Sequence, residues 1–204
     1  MLYNLKMINF INLNTEKPYL LLKAKYHEAL IAGQKGIESI SVSSYNKKID
    51  EVDSRYVNLK FIIDDEFIFF SNYKSPKASA FNSHNQIAAI VFWPSINLQV
   101  RIKAKIKKTS NEFNQKYFSD RSEEKNALAI SSNQSKLIGS FEQVKENYKY
   151  SLTNNDLKRC PKYWGGYSFI PYEIEFWEGN EFRLNKRNLY KKDKNKWNHY
   201  ILEP

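Results

Sequence analysis

The sequence contains few of the residues that disulfide bonds and metal centres require. Its 204 residues include one cysteine and three histidines. Cys160 alone excludes an internal disulfide and a cysteine zinc cage, so a metal site would have to rely on carboxylates. We therefore expect no metal centre.

Long apolar runs and familiar catalytic signatures are also missing. The longest apolar run, Ile87 to Trp93, is far shorter than the ~20 residues that a membrane span needs. Residues 1–17 contain no continuous apolar segment with a small-residue cleavage site. We therefore predict a cytoplasmic protein with no signal peptide and no membrane attachment. The sequence has no glycine-rich phosphate loop, nucleophile elbow, His-Glu zinc helix or cysteine pair.

What the chain does have is a surplus of positive charge and many aromatic side chains. Lys and Arg outnumber Asp and Glu by 32 to 22, which gives a formal net charge of +10, and aromatic residues make up 15%. This balance predicts an anionic partner. A phosphorylated cofactor or substrate, nucleic acid and an acidic membrane surface all fit it equally well.

The spacing of apolar residues predicts a mainly β protein with small helices, an α+β fold. Alternation is strictest from Leu98 to Lys107, where one face is apolar and the other cationic. The pattern predicts further strands at 37–43, 56–63, 67–70, 86–93, 167–177, 182–185 and 197–201, with strand 86–93 buried on both faces. Many antiparallel strands separated by short helices favour a closed or split barrel.

Helices are predicted between Thr15 and Gly33 and at 76–84, 113–118, 123–130 and 140–150. Thr109 and Glu112 have the spacing of a capping box for the third of these. No repeat or composition shift marks a domain boundary. We expect residues 1–17 to form an N-terminal tail, whose order the sequence does not determine, and residues 18–204 to form one domain.

Polar and cationic side chains cluster at the predicted strand ends, where they could hold a planar, phosphorylated cofactor. Arg55 and Lys60 lie five residues apart on one strand, so we expect them on opposite faces, with solvated side chains as the alternative. Tyr117 and Arg121 lie one helical turn apart. They could bind one phosphate together, or form an exposed pair at a helix end.

Trp177, Arg183 and Arg187 flank a tight turn. The two arginines are separated by an even number of residues, so a continuing strand would place them on one face. Two guanidinium groups on one face need an anion between them, either a ligand or a carboxylate such as Glu175 or Glu181.

Five segments of the chain occur in an order that is typical of one protein family. Trp164-Gly165-Gly166 is followed by the run from Glu173 to Arg187, and both come after the segments 55–60, 70–72 and 134–135. The C-terminal run resembles the signature of the pyridoxamine 5'-phosphate oxidase family. The three earlier segments resemble that family's flavin strand, its next strand end and its flavin-binding Gln-Ser pair. The resemblance runs from about residue 18 to residue 204.

This resemblance implies an FMN-binding split β-barrel that forms a homodimer, with active sites at the subunit interface. By matching position it implies that FMN is held by Arg55, Ser71, Lys77, Gln99, Gln134, Ser135, Trp177 and Arg187. It implies that a phosphorylated B6 vitamer is bound by Lys60, Tyr117, Arg121 and Lys125. Arg183 and Asn185 are then the residues over the reacting side of the substrate.

Three residues depart from the family pattern. Pro76 stands where an Arg is usual, which removes one phosphate contact. Lys125 stands where a Ser is usual, and it either adds a charged hydrogen bond or clashes. Asn185 stands where a His is usual, so it can form hydrogen bonds but cannot titrate.

The sequence thus predicts an FMN-dependent oxidase of pyridoxamine or pyridoxine 5'-phosphate. The alternative is a repurposed or weakly active split barrel that binds flavin or vitamer. A barrel that binds nucleic acid through the cationic face of residues 101–107 explains the charge but not the C-terminal signature. We therefore expect no nucleic-acid partner.

Overall fold

The computed structural model describes residues 7–204, and none of the helices in this part is long and apolar enough to cross a membrane. The strands are β1 (Asn9–Ile11), β2 (Ser39–Asn46), β3 (Glu51–Ile63), β4 (Glu66–Asn72), β5 (Gln86–Trp93), β6 (Leu98–Lys108), β7 (Trp164–Glu178), β8 (Lys186–Asp193) and β9 (Lys196–Leu202). The α-helices are α1 (Lys17–Ile31), α2 (Pro76–Ser83), α3 (Asn111–Asp120), α4 (Glu123–Ser131) and α5 (Phe141–Asn154). Short 3₁₀ turns cover Pro94–Ile96 and Glu181–Arg183.

Six strands close into an antiparallel barrel. Around the barrel, β3 pairs with β2, β2 with β5, β5 with β6 and β6 with β7. The ring closes because β4 pairs with both β7 and β3. β8 and β9 extend the sheet beyond the barrel from the second half of β7. The predicted mainly β fold with an antiparallel barrel is confirmed.

The long strand β7 belongs to both parts of this sheet. Residues 164–169 pair with β4, and residues 173–178 pair with β8, while β6 runs beside both halves. Between them, β7 has one extra residue opposite Lys103 and Ala104, at Pro171 and Tyr172. Such a bulge bends a strand and increases its twist. It therefore allows the first half of β7 to close the barrel while the second half leaves it.

The barrel interior is filled by the apolar face of each strand. On β6, Leu98, Val100 and Ile102 are buried, whereas Arg101 and Lys103 face outward. Helix α1 covers one side of this core with a buried stripe of Tyr19, Leu22, Tyr26 and Ala29. The strict alternation predicted for β6 is confirmed.

Two local predictions are wrong. Strand β5 is not buried on both faces, because Ile90 and Phe92 are 38% and 52% exposed while their neighbours Val91 and Trp93 are buried. The run is apolar on both faces because Ile90 and Phe92 form an exposed apolar strip on the outer face, opposite the buried residues. Helix α3 is capped by Ser110, whose Oγ accepts a hydrogen bond from the Phe113 amide, and not by the Thr109 capping box.

The chain ends also differ from expectation. Residues 9–11, which we assigned to an N-terminal tail, form β1 and pair in parallel with β3, while residues 1–6 of that tail lie outside the described residues. Residues 182–185 do not form a strand, because Phe182 and Arg183 have φ angles of 56° and 62°. Such left-handed conformations interrupt a strand, and β8 starts only at Lys186.

We expect Gly165→Ala to lower the free energy of unfolding by ~1–3 kcal/mol, the usual cost of overpacking. A Cβ at this position on β7 would overlap the Tyr73 hydroxyl and the Asn114 carboxamide. Urea denaturation measures the effect. Gly139→Ala is the control, because its Cβ would meet only the flexible Gln143 side chain at 3.3 Å. Equal stability of the two variants would contradict the close packing of α3 on β7.

Candidate active site

A cavity of about 560 Å³ lies where β3 and β4 meet α2, the end of α3, α4 and the segment that follows it. Nine of the predicted site residues line this cavity: Arg55, Lys60, Ser71, Lys77, Tyr117, Arg121, Lys125, Gln134 and Ser135. The structure therefore brings together residues that are up to 80 positions apart in the sequence. Five of the nine are cationic, and Glu38 is the one carboxylate among the described residues that line the cavity.

Arg55 and Lys60 both line the cavity, and so do Tyr56, Val57 and Asn58 between them, so the lining draws on both faces of β3. The predicted opposite faces of Arg55 and Lys60 therefore keep neither residue out of the site. Strand β3 shifts its register with β4 between Leu59 and Phe61, so Lys60 occupies a bulge. A bulge breaks the simple alternation of side chains. The face of Lys60 therefore does not follow from alternation counted from Arg55 alone.

The first cationic group consists of Arg55 and Lys77. Arg55 donates hydrogen bonds to the Val42 carbonyl at 3.1 Å and to Ser44 Oγ at 2.8 Å, and pairs with Asp53. Lys77 is only 8% exposed. Its burial and the nearby Arg55 charge lower its pKa. An anion between the two cations would reverse part of that effect.

The second cationic group consists of Lys60, Arg121 and Lys125. Burial lowers the pKa of Lys60; the carboxylate of Glu38 raises it, and the charges of Lys125 and Arg121 lower it further. Burial also lowers the pKa of Arg121. Its Nη1 atom is buried and has no hydrogen-bond partner among the described residues. A buried donor of this kind points to an anionic ligand.

An aromatic wall stands beside the second group. Phe70 stacks on Tyr117 with ring centroids 3.9 Å apart and on Trp164 at 5.1 Å, and Arg121 lies 4.6 Å from the Trp164 ring. Burial raises the pKa of Tyr117 to about 12, so its hydroxyl stays a neutral donor. Neither Trp164 nor Glu38 was predicted to be a site residue. For Trp164, the Trp-Gly-Gly motif was the available signal, whereas Glu38 had none.

The segment after α4 is anchored to β4. Gln134 Oε1 accepts hydrogen bonds from Ser71 Oγ and from the Asn72 amide, both at 3.3 Å. Ser135 follows with a φ of 66°. These contacts bring the predicted Gln-Ser pair to the predicted Ser71, as a shared ligand would require.

The other five predicted residues lie outside this cavity. Gln99, Trp177 and Arg187 are cross-strand neighbours on β6, β7 and β8, on the outer face of the sheet. Arg187 Nε donates to Glu175 Oε1 at 2.8 Å, and Arg101 binds the other oxygen of Glu175 at 3.1 Å. Glu175, one of the carboxylates foreseen as a partner, thus pairs with Arg187.

Arg183 and Asn185 lie on the loop between β7 and β8. Because this loop is a 3₁₀ turn, the prediction that Arg183 and Arg187 share one face of a strand is wrong. Phe182 and Arg183 are exposed, and Asn185 Oδ1 accepts a hydrogen bond from the Asn180 amide at 3.2 Å. Arg183 is thus exposed and is not among the residues that line the cavity of its own chain.

Known proteins match both this sequence and this fold. Residues 164–204 match the family model described as the pyridoxine 5'-phosphate oxidase C-terminal dimerisation region. The chain is 32% identical over 189 residues to the pyridoxine/pyridoxamine 5'-phosphate oxidase of Leptospira biflexa, covering 92% of this chain and 89% of the relative. It is 36% identical over 154 residues to the Legionella pneumophila enzyme of the same name, covering 74% and 72%.

Two solved structures share the fold. The PhzG protein of Burkholderia lata, in complex with tetrahydrophenazine-1-carboxylic acid, superposes with a TM-score of 0.87 at 23% identity, covering 92% of this chain and 93% of that one. A pyridoxamine 5'-phosphate oxidase-related, FMN-binding protein of Nostoc punctiforme superposes with a TM-score of 0.76 at 11% identity, covering 93% and 99%.

FMN is the cofactor of the oxidase family, as predicted from the resemblance, and the cavity residues fit it. The described lining offers five cations against one carboxylate, and one guanidinium nitrogen is buried without a partner. This excess of positive charge suits a phosphorylated ligand. Sequence identity, coverage and fold agree: the chain belongs to the pyridoxine/pyridoxamine 5'-phosphate oxidase family of FMN-binding split-barrel oxidoreductases.

Proposed function

We propose that the protein is an FMN-dependent oxidase that converts pyridoxamine 5'-phosphate, pyridoxine 5'-phosphate or both to pyridoxal 5'-phosphate with oxygen as acceptor. The observation that carries this proposal is the division of one cavity into two cationic groups. Two phosphorylated ligands, a cofactor and a substrate, account for both groups. A single phosphate would leave one group uncompensated.

In this assignment the first cationic group holds the phosphate of FMN. Arg55 and Lys77 supply positive charge, and Ser71 and the Gln134-Ser135 pair supply hydrogen bonds. When bound, FMN supplies the redox chemistry, accepting a hydride and passing the two electrons to oxygen. The protein contributes binding and orientation from side chains on rigid strands and helices.

The second cationic group then binds the substrate phosphate through Lys60, Tyr117, Arg121 and Lys125. With the phosphate held there, the C4′ carbon of the vitamer is fixed against the flavin site. With pyridoxamine 5'-phosphate, loss of a hydride from C4′ and of a proton from the amine would leave an imine, which water would hydrolyse to the aldehyde and ammonia. With pyridoxine 5'-phosphate, loss of a hydride from C4′ and of a proton from the hydroxyl would give the aldehyde directly. Oxygen is reduced to hydrogen peroxide.

A homodimer completes this site. Tyr56 and Asn58 line the cavity and also lie on the outer sheet face, on which the row of Gln99, Trp177 and Arg187 stands. The same face exposes Ile90 and Phe92. A second copy packed on this face would cover the apolar strip and bring its own row, with Arg183 and Asn185, to the cavity. The match of residues 164–204 to a dimerisation region supports this arrangement.

A second candidate is a split barrel that binds flavin and vitamer but oxidises slowly. The observation that favours it is Asn185, which cannot titrate and whose Oδ1 is engaged by the Asn180 amide. Under this alternative both cationic groups still bind phosphate, and only turnover is lost.

Hydrogen peroxide release separates these candidates. The purified protein, loaded with FMN, is incubated with pyridoxamine 5'-phosphate or pyridoxine 5'-phosphate under air. Peroxide and pyridoxal 5'-phosphate formed in equal amounts support the oxidase. Tight binding of both ligands without peroxide supports the second candidate, and a protein that binds no flavin contradicts both.

We expect Lys77→Ala to weaken FMN binding by about tenfold or more, as loss of a charged hydrogen bond to phosphate would. Lys103→Ala is the matched control. It also removes one positive charge, but Lys103 is exposed on the outer face and pairs with Glu173 at 2.9 Å. Flavin fluorescence titration measures both. Equal losses would mean that net charge alone attracts the cofactor.

We expect Arg183→Ala to reduce turnover by about a hundredfold, because a fixed guanidinium over the reacting carbon is lost. Asn185→Ala should cost about tenfold or less, and the unmodified protein should show no rate titration near the ordinary His pKa of about 6.5. FMN content should stay unchanged in both variants. Normal oxidation by the Arg183 variant would contradict the proposed arrangement.

A further inference from the structure

Glu38 lines the cavity beside the second cationic group, so an anionic ligand bound there would lie close to its carboxylate. Glu38 immediately precedes β2, and its side chain is 14% exposed, as is that of Lys60. The Glu38 carboxylate lies 4.0 Å from Lys60 Nζ. The Glu38 carbonyl also accepts a hydrogen bond from the Leu59 amide at 2.8 Å, beside the bulge that carries Lys60. This backbone contact therefore holds Glu38 beside the segment of β3 that carries Lys60.

The charges around Lys60 act in opposite directions. Glu38 stabilises its ammonium form, whereas Lys125 and Arg121 destabilise it. Three cations and one carboxylate leave two net positive charges at the second cationic group. This net charge is equal in size and opposite in sign to the charge of a fully ionised phosphate, about −2. The Glu38 carboxylate thus neutralises one of the three cations with which a bound phosphate would otherwise pair.

We propose that Glu38 is an internal competitor for Lys60: it holds the ammonium group while the subsite is empty and yields it to the incoming phosphate. The inference rests on the proposed function, in which Lys60 belongs to the phosphate subsite of the vitamer. Glu38 thereby lowers the affinity for every phosphorylated ligand of this subsite and speeds release of the phosphorylated product. Lys125 acts in the opposite direction.

A product-release role follows from the shared phosphate. Substrate and product carry the same phosphate group, so each cation that tightens substrate binding also slows product departure. A carboxylate inside the cavity repels a bound phosphate dianion and attracts Lys60 away from it. A purely structural partner of Lys60 would stabilise the fold without changing ligand affinity, which makes the two roles separable.

The test uses the FMN-loaded protein and pyridoxal 5'-phosphate, with pyridoxal and inorganic phosphate as comparison ligands. Glu38→Gln should tighten pyridoxal 5'-phosphate about tenfold and slow its dissociation in stopped-flow exchange. Lys125→Ser should weaken binding about tenfold. Affinity for pyridoxal should stay within about twofold in both. Glu51→Gln and Lys136→Ser are matched controls, because both residues are exposed and neither lines the cavity.

Glu38→Asp provides a second variant should the Gln protein fold poorly, since its shorter side chain withdraws the charge from Lys60; a smaller tightening is expected. Unchanged or weaker phosphate binding in the Glu38 variants, with lower thermal stability, would overturn the proposal in favour of a structural ion pair. Failure of the proposed function looks different. The unmodified protein would then bind no vitamer, while the response of inorganic phosphate affinity to Glu38→Gln would still decide this inference.

Discussion

The pairing of β7 with three different strands is the constraint on which the rest of the structure depends. Its first half closes the barrel between β4 and β6, and its second half carries β8 and β9 outward. Trp164, at its start, forms part of the cavity wall, and Trp177, near its end, stands on the outer face. One strand therefore links the cavity to the surface that would complete the cavity of a second copy.

Inside the barrel-based cavity, the cationic side chains lose part of their hydration and repel one another. Lys60 and Lys77 both have lowered pKa values because burial disfavours their charged forms and neighbouring cations add to the effect. Such an arrangement persists only where a rigid surrounding structure enforces it. The barrel strands, the α3 contact with β7 and the anchor between Gln134 and Ser71 provide that rigidity. A phosphorylated ligand in this cavity would relieve the repulsion and would bind to a site already formed.

Much of this could be predicted from the sequence, for identifiable physical reasons. Strand β6 was evident because its outer face is charged, and the nine cavity residues were found because their motifs resemble those of a known family. The cavity brings Arg55 and Lys60 together although alternation predicts opposite faces, because its lining draws on both faces of β3 and on a bulge that residue counting does not reveal. The outer face of β5 was misjudged because an apolar strip that a partner would cover looks the same in sequence as a buried one. Glu38 had no motif at all, and only the folded chain brings it to Lys60.

The most direct test of the central claim is a crystal structure of the protein with FMN and pyridoxal 5'-phosphate bound. We expect two phosphates in each cavity, one against Arg55 and Lys77 and the other against Lys60, Arg121 and Lys125. We also expect Trp177 and Arg187 of a second copy to close the site. A single phosphate spanning both cationic groups, or two ligands bound by a monomer, would contradict that claim.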